Sequence, residues 1–236
     1  IRELENIIER GVAMETSNII LPENLALAAD ADTPGGPTEL PLPDTGIDLN
    51  HPYFGPDLDT NGVSDRIVYH YDFADGDADA SDNDNHGSNV SSIVASSDGT
   101  NTGMAPGSDI IHLKVFTDAG GGNFGYIESA LQWVVANAAT YNISSINMSL
   151  GNTANYNTPQ TLFGIDDELA ALAALDVITV SSSGNDFFDF SSAQGVGYPA
   201  ADPNSLSVGA VYDGNVGGFN YGGGAQAFTT GPGRIT

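Results

Sequence analysis

The chain of 236 residues contains no cysteine, which excludes disulfide bonds, thiol catalysis and thiolate metal sites. Any nucleophile that these residues supply must therefore be an oxygen. Basic residues are scarce as well: five Lys and Arg stand against 31 Asp and Glu, and the formal net charge is -26. This charge repels nucleic acid and anionic lipid over most of the surface, so we expect no nucleic-acid partner.

Long apolar runs are also missing. No stretch approaches the roughly 18 apolar residues that a membrane-spanning helix needs, and the first residues lack the basic and apolar regions of a signal peptide. Acidic residues, in contrast, are abundant. Their excess suits a salt-rich habitat, and it equally suits the binding of hard cations such as Ca²⁺, so composition leaves both explanations open.

The two segments at the start of the chain differ from the remainder. Residues 1–24 carry apolar side chains at helical spacing, which predicts a short helical head. Their run RELENIIERGV (2–12) resembles the end of the ATPase domain of sigma-54-dependent transcription activators. The chain has no P-loop motif GxxxxGK[ST], so we expect no nucleotide chemistry of that kind. Residues 25–43 are rich in Pro, Gly, Ala and acids without periodicity, which predicts a linker.

From residue 44 to 236 the pattern alternates between strand and helix. Five β-rich runs occur, at 66–73, 109–116, 143–150, 176–182 and 205–211. Segments with apolar residues at helical spacing separate most of them. This alternation predicts an α/β fold with a mostly parallel sheet and helices on both faces. Ligands of such sheets bind at the carboxyl ends of the strands, so these ends are where a site is expected.

Three of these ends carry polar residues of interest: Asp44 in DTGID, His86 in NHGSNVSSIVA and Asn185 in SSGND. Taken singly, each has an ordinary explanation, namely a turn, a solvated histidine at a helix start and turn chemistry. Their order along the chain is more informative. Six segments in the same order resemble motifs of the subtilisin-like serine proteases (subtilases): DTGID (44–48), HGSNVSSIVA (86–95), GMAPGSDIIHLKVF (103–116), INMSLG (146–151), SSGND (182–186) and YPAADPNSLSVGAV (198–211).

The resemblance implies a serine endopeptidase that cleaves peptide bonds by a Ser-His-Asp mechanism. His86 would act as general base and then acid, Asp44 would orient it and stabilise the imidazolium, and Asn185 would bind the oxyanion. We also expect the acidic residues near His86 to raise its pKa. An extended polypeptide substrate would bind along a cleft formed by Gly121, Gly122, Asn123, Phe124, Gly125, Ser149, Leu150 and Gly151.

Two departures from the family pattern bear on the triad. The nucleophile of the family lies in a Gly-Thr-Ser motif, and no Gly-Thr-Ser occurs in the 236 residues. Ser88, Ser149 and Ser183 have other counterparts in the family, so we expect a truncated catalytic domain that is inactive alone. Upstream of Asp44, the segment PTELPLP (37–43) contains prolines that cannot donate to a sheet ladder. We therefore expect the strand before Asp44 to be lost and Asp44 to be poorly held.

An acidic loop, DLDTNGVSD, sets Asp57, Asp59, Asn61 and Asp65 at positions 1, 3, 5 and 9 of an EF-hand-like pattern. Its Gly62 stands at position 6, but the bidentate glutamate of position 12 is missing. The pattern predicts a structural Ca²⁺ site, with a solvated acidic turn as the alternative. The acidic run at 72–84 lacks fixed ligand spacing and is expected to be a solvated loop.

Two other functions remain open. One is a non-catalytic peptide-binding or calcium-binding module that keeps the cleft without the nucleophile. The other, supported only by residues 1–24, is a fragment of a regulatory ATPase.

The resemblance to subtilases further implies a secreted or cell-surface protein with a polypeptide substrate and no organic cofactor. The fusion of the head to this domain indicates a chimeric gene or an assembly error.

Overall fold

A computed structural model describes residues 39–186, 189–191 and 193–209, together with the backbone of four short strands further on. These strands are Val211–Tyr212, Phe219–Tyr221, Gln226–Phe228 and Gly233–Arg234. All described residues belong to one compact unit, Pro37–Thr236. The predicted helical head at 1–24 and residues 25–38 of the predicted linker lie outside the described residues.

Strands and helices alternate as predicted. The strands are β1 (Glu39–Asp44), β2 (Ile67–Asp72), β3 (Asp109–Lys114), β4 (Ser145–Met148), β5 (Ile178–Ser182) and β6 (Ser205–Val208). The helices are α1 (His86–Ala95), α2 (Phe124–Asn137) and α3 (Asp166–Ala174). Each β-rich run found in the sequence contains one of the strands β2 to β6. Within the described part of the chain, no helix is long and apolar enough to cross a membrane.

The strands form two parallel ladders, in the orders β2–β3–β1 and β4–β5–β6. Strand β4 lies beside β1, on the side of β1 that β3 does not occupy. The ladders therefore adjoin at β1 and β4. This arrangement confirms the predicted α/β fold with a mostly parallel sheet.

Strand β1 corrects one expectation, because the proline-rich segment before Asp44 does form a strand. The Asp44 carbonyl oxygen accepts the Val115 N–H at 2.9 Å, so the backbone groups of Asp44 point toward β3. Backbone groups of successive strand residues point to opposite sides, and Pro43 and Pro41 therefore face β4. The N–H groups are missing only on that side. β1 keeps its ladder with β3, and residues 39–43 belong to the sheet rather than to a linker.

The core lies on both faces of the first ladder. Alternate residues of β3 point to opposite faces, as in any strand. Ile111 and Leu113 pack in one buried cluster with Leu131 of α2. Ile110 packs in a second cluster with Ala95 of α1. Helices α1 and α2 thus cover opposite faces of this ladder, and α1 covers the face that also carries the side chain of Asp44.

A histidine lies in the middle of this packing. His112 of β3 is fully buried, between Leu42 of β1 and His70 of β2 in the strand register. Neither ring nitrogen of His112 has a hydrogen-bond partner among the described residues. Burial disfavours the charged imidazolium and lowers the pKa of His112 from its ordinary 6.5 to about 3.

We expect this histidine to make the fold acid-sensitive. Between pH 6.5 and about 3 the unfolded chain binds a proton that the folded chain does not, so the free energy of unfolding falls as the pH falls. One such proton changes this free energy by about 1.4 kcal/mol per pH unit. Urea unfolding between pH 7 and 4 should therefore show a flatter pH dependence for His112→Leu than for the wild type.

The variant His112→Gln is the control for this experiment, because it keeps a polar group but does not titrate in this range. It should show the same flattening as His112→Leu, whatever its absolute stability. Parallel pH profiles for the wild type and both variants would contradict the assignment.

Candidate active site

The candidate site begins at the carboxyl end of β1. Asp44 is the last residue of this strand, and its side chain is only 2% exposed. Its Oδ1 atom accepts the backbone N–H of Thr45 at 2.7 Å and lies 2.6 Å from Nδ1 of His86. The ladder with β3 holds the strand, and the hydrogen bonds hold the carboxylate. Asp44 is therefore firmly placed, contrary to the expectation from its proline-rich flank.

His86 is the first residue of α1, and its side chain remains 49% exposed. When the carboxylate of Asp44 accepts a hydrogen bond from the Nδ1–H group, Nε2 is left as the basic nitrogen of the neutral ring. The hydrogen bond to Asp44 is the main reason that the pKa of His86 is raised, while partial burial acts in the opposite direction. The charges of Asp84 and Asp82 add to the increase, as the acidic run before the helix led us to expect.

Two glycines allow α1 to begin against the turn that follows β1. A Cβ atom at Gly87 would lie 2.1 Å from the Gly46 carbonyl oxygen and 3.1 Å from Cβ of Asp44. A Cβ atom at Gly46, which has φ +134°, would lie 2.5 Å from the Ser81 carbonyl oxygen. Only glycine fits such close backbone approaches. Gly46 and Gly87 therefore let the turn after β1 and the start of α1 approach closely enough for Asp44 and His86 to form their hydrogen bond.

The structure brings some of the residues predicted for a substrate cleft together around one cavity. A cleft of about 320 Å³ lies between the segment that leads into α2 and the segment that follows β4. Its walls include five of the predicted residues, namely Gly122, Asn123, Phe124, Leu150 and Gly151. Sequence reasoning missed five others: Val115, Phe116, Ile127, Asn152 and Thr153. Three of these lie within or directly adjoin the matched motifs, namely Val115, Phe116 and Asn152, and this proximity could have found them.

Asn123 also caps a helix, and the remaining predicted residues are not among the cleft walls. The side chain of Asn123 caps α2, because its Oδ1 accepts the N–H groups of Gly125 and Tyr126 at 2.8 and 3.2 Å. Ser149 Oγ accepts a hydrogen bond from Asn147 at 3.1 Å. Gly121 precedes the cleft wall and Gly125 lies in the first turn of α2. Asn185 is exposed in the segment after β5, and its oxyanion role stays a prediction.

The acidic loop brings together three of the four residues that the sequence predicts as Ca²⁺ ligands. Carboxylate oxygens of Asp57, Asp59 and Asp65 all lie within 4.8 Å of one another. A backbone hydrogen bond from Gly62 is the main reason that the pKa of Asp57 is lowered, which favours its ionised form. The side chain of Asn61 makes hydrogen bonds inside the loop instead. Its Nδ2 donates to Asp59, and its Oδ1 accepts the backbone N–H of Val63. The three carboxylates are the hard oxygen donors that Ca²⁺ prefers.

A second acidic cluster already contains a positive charge. Asp72, Asp75 and Asp118 also have carboxylate oxygens within 4.8 Å of one another. The buried ammonium of Lys114 donates to Asp72 at 3.0 Å and to Asp118. Burial alone would lower the pKa of Lys114, but these two carboxylates outweigh it and the pKa is raised. Asp72 is thus buried and paired, unlike the solvated loop expected at 72–84.

Comparison with known proteins agrees with this geometry. The model of the subtilase family (Peptidase S8) matches residues 40–230, and the chain belongs to this family. This match begins after the head, so the sigma-54-type resemblance of residues 1–24 stays a prediction.

Individual relatives lead to the same family. Subtilisin of Bacillus pumilus is 27% identical over 184 residues, which cover 77% of this chain and 59% of that protein. Alkaline elastase YaB of Bacillus sp. (strain YaB) is 32% identical over 164 residues, or 67% of this chain and 39% of that protein. The chain spans between 42 and 59% of the first curated relatives that it matches.

A solved structure supports the fold. The crystal structure of a cold adapted subtilisin-like serine proteinase superposes with a TM-score of 0.55 at 27% identity. The match covers 75% of this chain and 56% of that one.

The close approach at Gly87 generates a prediction. Alanine is normally favoured over glycine in a helix by about 1 kcal/mol. We expect the reverse here, because the new methyl group would collide with the Gly46 carbonyl oxygen. Gly87→Ala should lower the free energy of unfolding by about 1–3 kcal/mol in urea titration. Gly99→Ala is the matched control, since a Cβ atom there meets nothing within 4 Å. Equal losses for the two variants would contradict the packing argument.

Proposed function

We propose that this chain supplies the Asp and His of a serine endopeptidase site, together with part of its substrate cleft. The observation that supports the proposal most directly is the 2.6 Å contact between a buried carboxylate and a half-exposed imidazole, Asp44 Oδ1 and His86 Nδ1. Membership of the subtilase family supports the same function.

The geometry suits proton transfer to and from Nε2 of His86. The Asp44 carboxylate holds the proton on Nδ1, so the other nitrogen is left to accept a proton from a serine hydroxyl. When the imidazolium forms, the same carboxylate stabilises it, in agreement with the raised pKa of His86. His86 then donates the proton to the leaving amine. Under this proposal, the amide of Asn185 donates to the oxyanion.

The substrate under this proposal is an extended polypeptide. The walls of the cleft include Gly122 and Gly151, and under this proposal backbone groups of these two segments pair with the substrate. Backbone hydrogen bonding to such a segment tolerates many sequences. We further propose that the protein acts outside the cytoplasm, by analogy with its family. The alternative of a non-catalytic peptide-binding module uses the same cleft, and hydrolysis distinguishes the two.

The proposed mechanism needs a serine nucleophile from the family's Gly-Thr-Ser motif. No Gly-Thr-Ser occurs in these 236 residues, so we expect the chain alone to hydrolyse no casein at a measurable rate. Loss of the nucleophile lowers kcat by about 10⁶-fold in subtilisin itself. The gene, read beyond Thr236, should encode a Gly-Thr-Ser-Met-Ala-type segment, and its full product should hydrolyse casein. Its kcat/KM should rise with pH through a pKa above 6.5, because His86 must be neutral to act as base.

The His86→Ala variant of the full product is the control, and it should lose nearly all activity. Turnover by the 236 residues alone that depends on His86 would contradict the predicted inactivity. A gene without such a serine segment, or a full product that binds peptides without cleaving them, would contradict the protease proposal.

We also propose that Asp57, Asp59 and Asp65 hold a structural Ca²⁺ ion, with Asn61 as the fourth ligand predicted from the sequence. One half-buried and two exposed carboxylates so close together repel one another, and a divalent cation would remove this repulsion. Calcium should therefore raise the melting temperature of the wild type, and Asp59→Ala should abolish this increase. Asp189→Ala removes one exposed acid outside the loop and should respond to calcium like the wild type. An unchanged calcium response in Asp59→Ala would disprove the site.

A further inference from the structure

We propose that Asp82 is a positioning residue that joins the turn carrying Asp44 to the helix carrying His86. The inference rests on the function proposed for that pair. Asp82 lies four residues before His86, and its Oδ1 accepts the hydroxyl of Thr45 at 3.0 Å. Its Oδ2 accepts the N–H and the hydroxyl of Ser88 at 2.8 and 2.6 Å. One carboxylate therefore contacts the neighbour of Asp44 and the first turn of α1 at once.

The start of α1 depends on this carboxylate. The first N–H groups of a helix have no partner within the helix and need a cap. Asn85 occupies the cap position in the left-handed conformation, φ 76°, and its side chain makes no capping hydrogen bond. The N–H of Ser88 is bound by Asp82 instead, and the N–H of Gly87 is bound by the Thr45 hydroxyl at 2.9 Å. The helix that begins at His86 is thus capped by the side chains of Asp82 and Thr45, which lie outside the helix.

The same carboxylate also holds the loop before the helix. Asp82 Oδ1 accepts the N–H groups of Asp84 and Asn85 at 3.1 and 2.9 Å. Burial would raise the pKa of Asp82, but the hydrogen bonds from Ser88 and the backbone lower it, so the carboxylate is ionised at neutral pH. An ionised acceptor makes these hydrogen bonds stronger than neutral ones.

Asp84 allows the effect of the Asp82 charge on His86 to be separated from the effect of the Asp82 hydrogen bonds, because its charge also acts on His86. The charges of Asp84 and Asp82 both raise the pKa of His86. In the part of the chain that the structure describes, however, the carboxylate of Asp84 accepts no hydrogen bond from either segment, whereas that of Asp82 binds both. Asp82→Asn and Asp84→Asn each remove one negative charge, but only Asp82→Asn weakens the link.

The test is proton NMR of the 236-residue chain. The Nδ1–H of His86, hydrogen-bonded to Asp44, should give a far-downfield resonance that is identified by its absence in His86→Ala. We expect Asp82→Asn to lose this resonance or to exchange it with solvent at least about tenfold faster, as expected when a charge-assisted hydrogen-bond network is weakened. Asp84→Asn should keep it. Circular dichroism checks that each variant is folded.

A second pair of variants decides the case if Asp82→Asn does not fold. Thr45→Val removes the hydroxyl that lies between Asp82 and the N–H of Gly87, and Thr45→Ser retains a hydroxyl there. Under the proposal, Thr45→Val loses the downfield resonance and Thr45→Ser keeps it.

The outcomes divide clearly. A folded Asp82→Asn variant with the wild-type resonance, equal losses in Asp82→Asn and Asp84→Asn, or a wild-type resonance in Thr45→Val would each overturn the positioning role. A wild-type chain without the resonance would disprove the Asp44–His86 pair and both proposals together. A full gene product with the resonance but no hydrolysis would contradict only the proposed function.

Discussion

The parallel ladder between β1 and β3 is the interaction on which the candidate site depends. It places Asp44 at the carboxyl end of β1, paired with Lys114 in the strand register and close to the start of α1. A buried carboxylate is costly to remove from water unless hydrogen bonds replace its hydration. Asp44 receives these from its neighbour Thr45 and from His86. The ladder therefore fixes one partner of the pair, and the carboxylate in turn orients the other.

Strand β3 combines an apolar face with a face that carries both apolar and polar residues. Ile111 and Leu113 pack toward α2, while His112 and Lys114 point to the face that α1 covers. Lys114 balances two carboxylates there, so one of only five Lys and Arg residues in the chain is used as a buried counter-charge. Removing either carboxylate or the ammonium would leave an uncompensated charge at this buried position, which is strongly destabilising.

Much of this could be predicted from the sequence, because the information was local. Strand and helix periodicity gave the α/β fold, and the order of the motifs indicated Asp44 and His86. The expectation that β1 is lost was wrong. A proline lacks an N–H only on the side of the strand toward which that residue's backbone points, and the ladder with β3 lies on the other side. The sequence does not show which neighbour lies on which side. Asp82 was missed for a similar reason, since its partner Thr45 is 37 residues away along the chain.

The two halves of the candidate site are built in different ways. The cleft depends on a local cap, in which Asn123 binds N–H groups two and three residues ahead of it. Its side-chain oxygen is therefore engaged, and the cleft presents glycine backbone and the apolar walls of Phe116 and Leu150 to a ligand. The Asp44–His86 pair depends instead on contacts between segments far apart in the chain. Under the proposed function, a change in the cleft would therefore alter which peptides bind, while the hydrogen bond between Asp44 and His86 would stay in place.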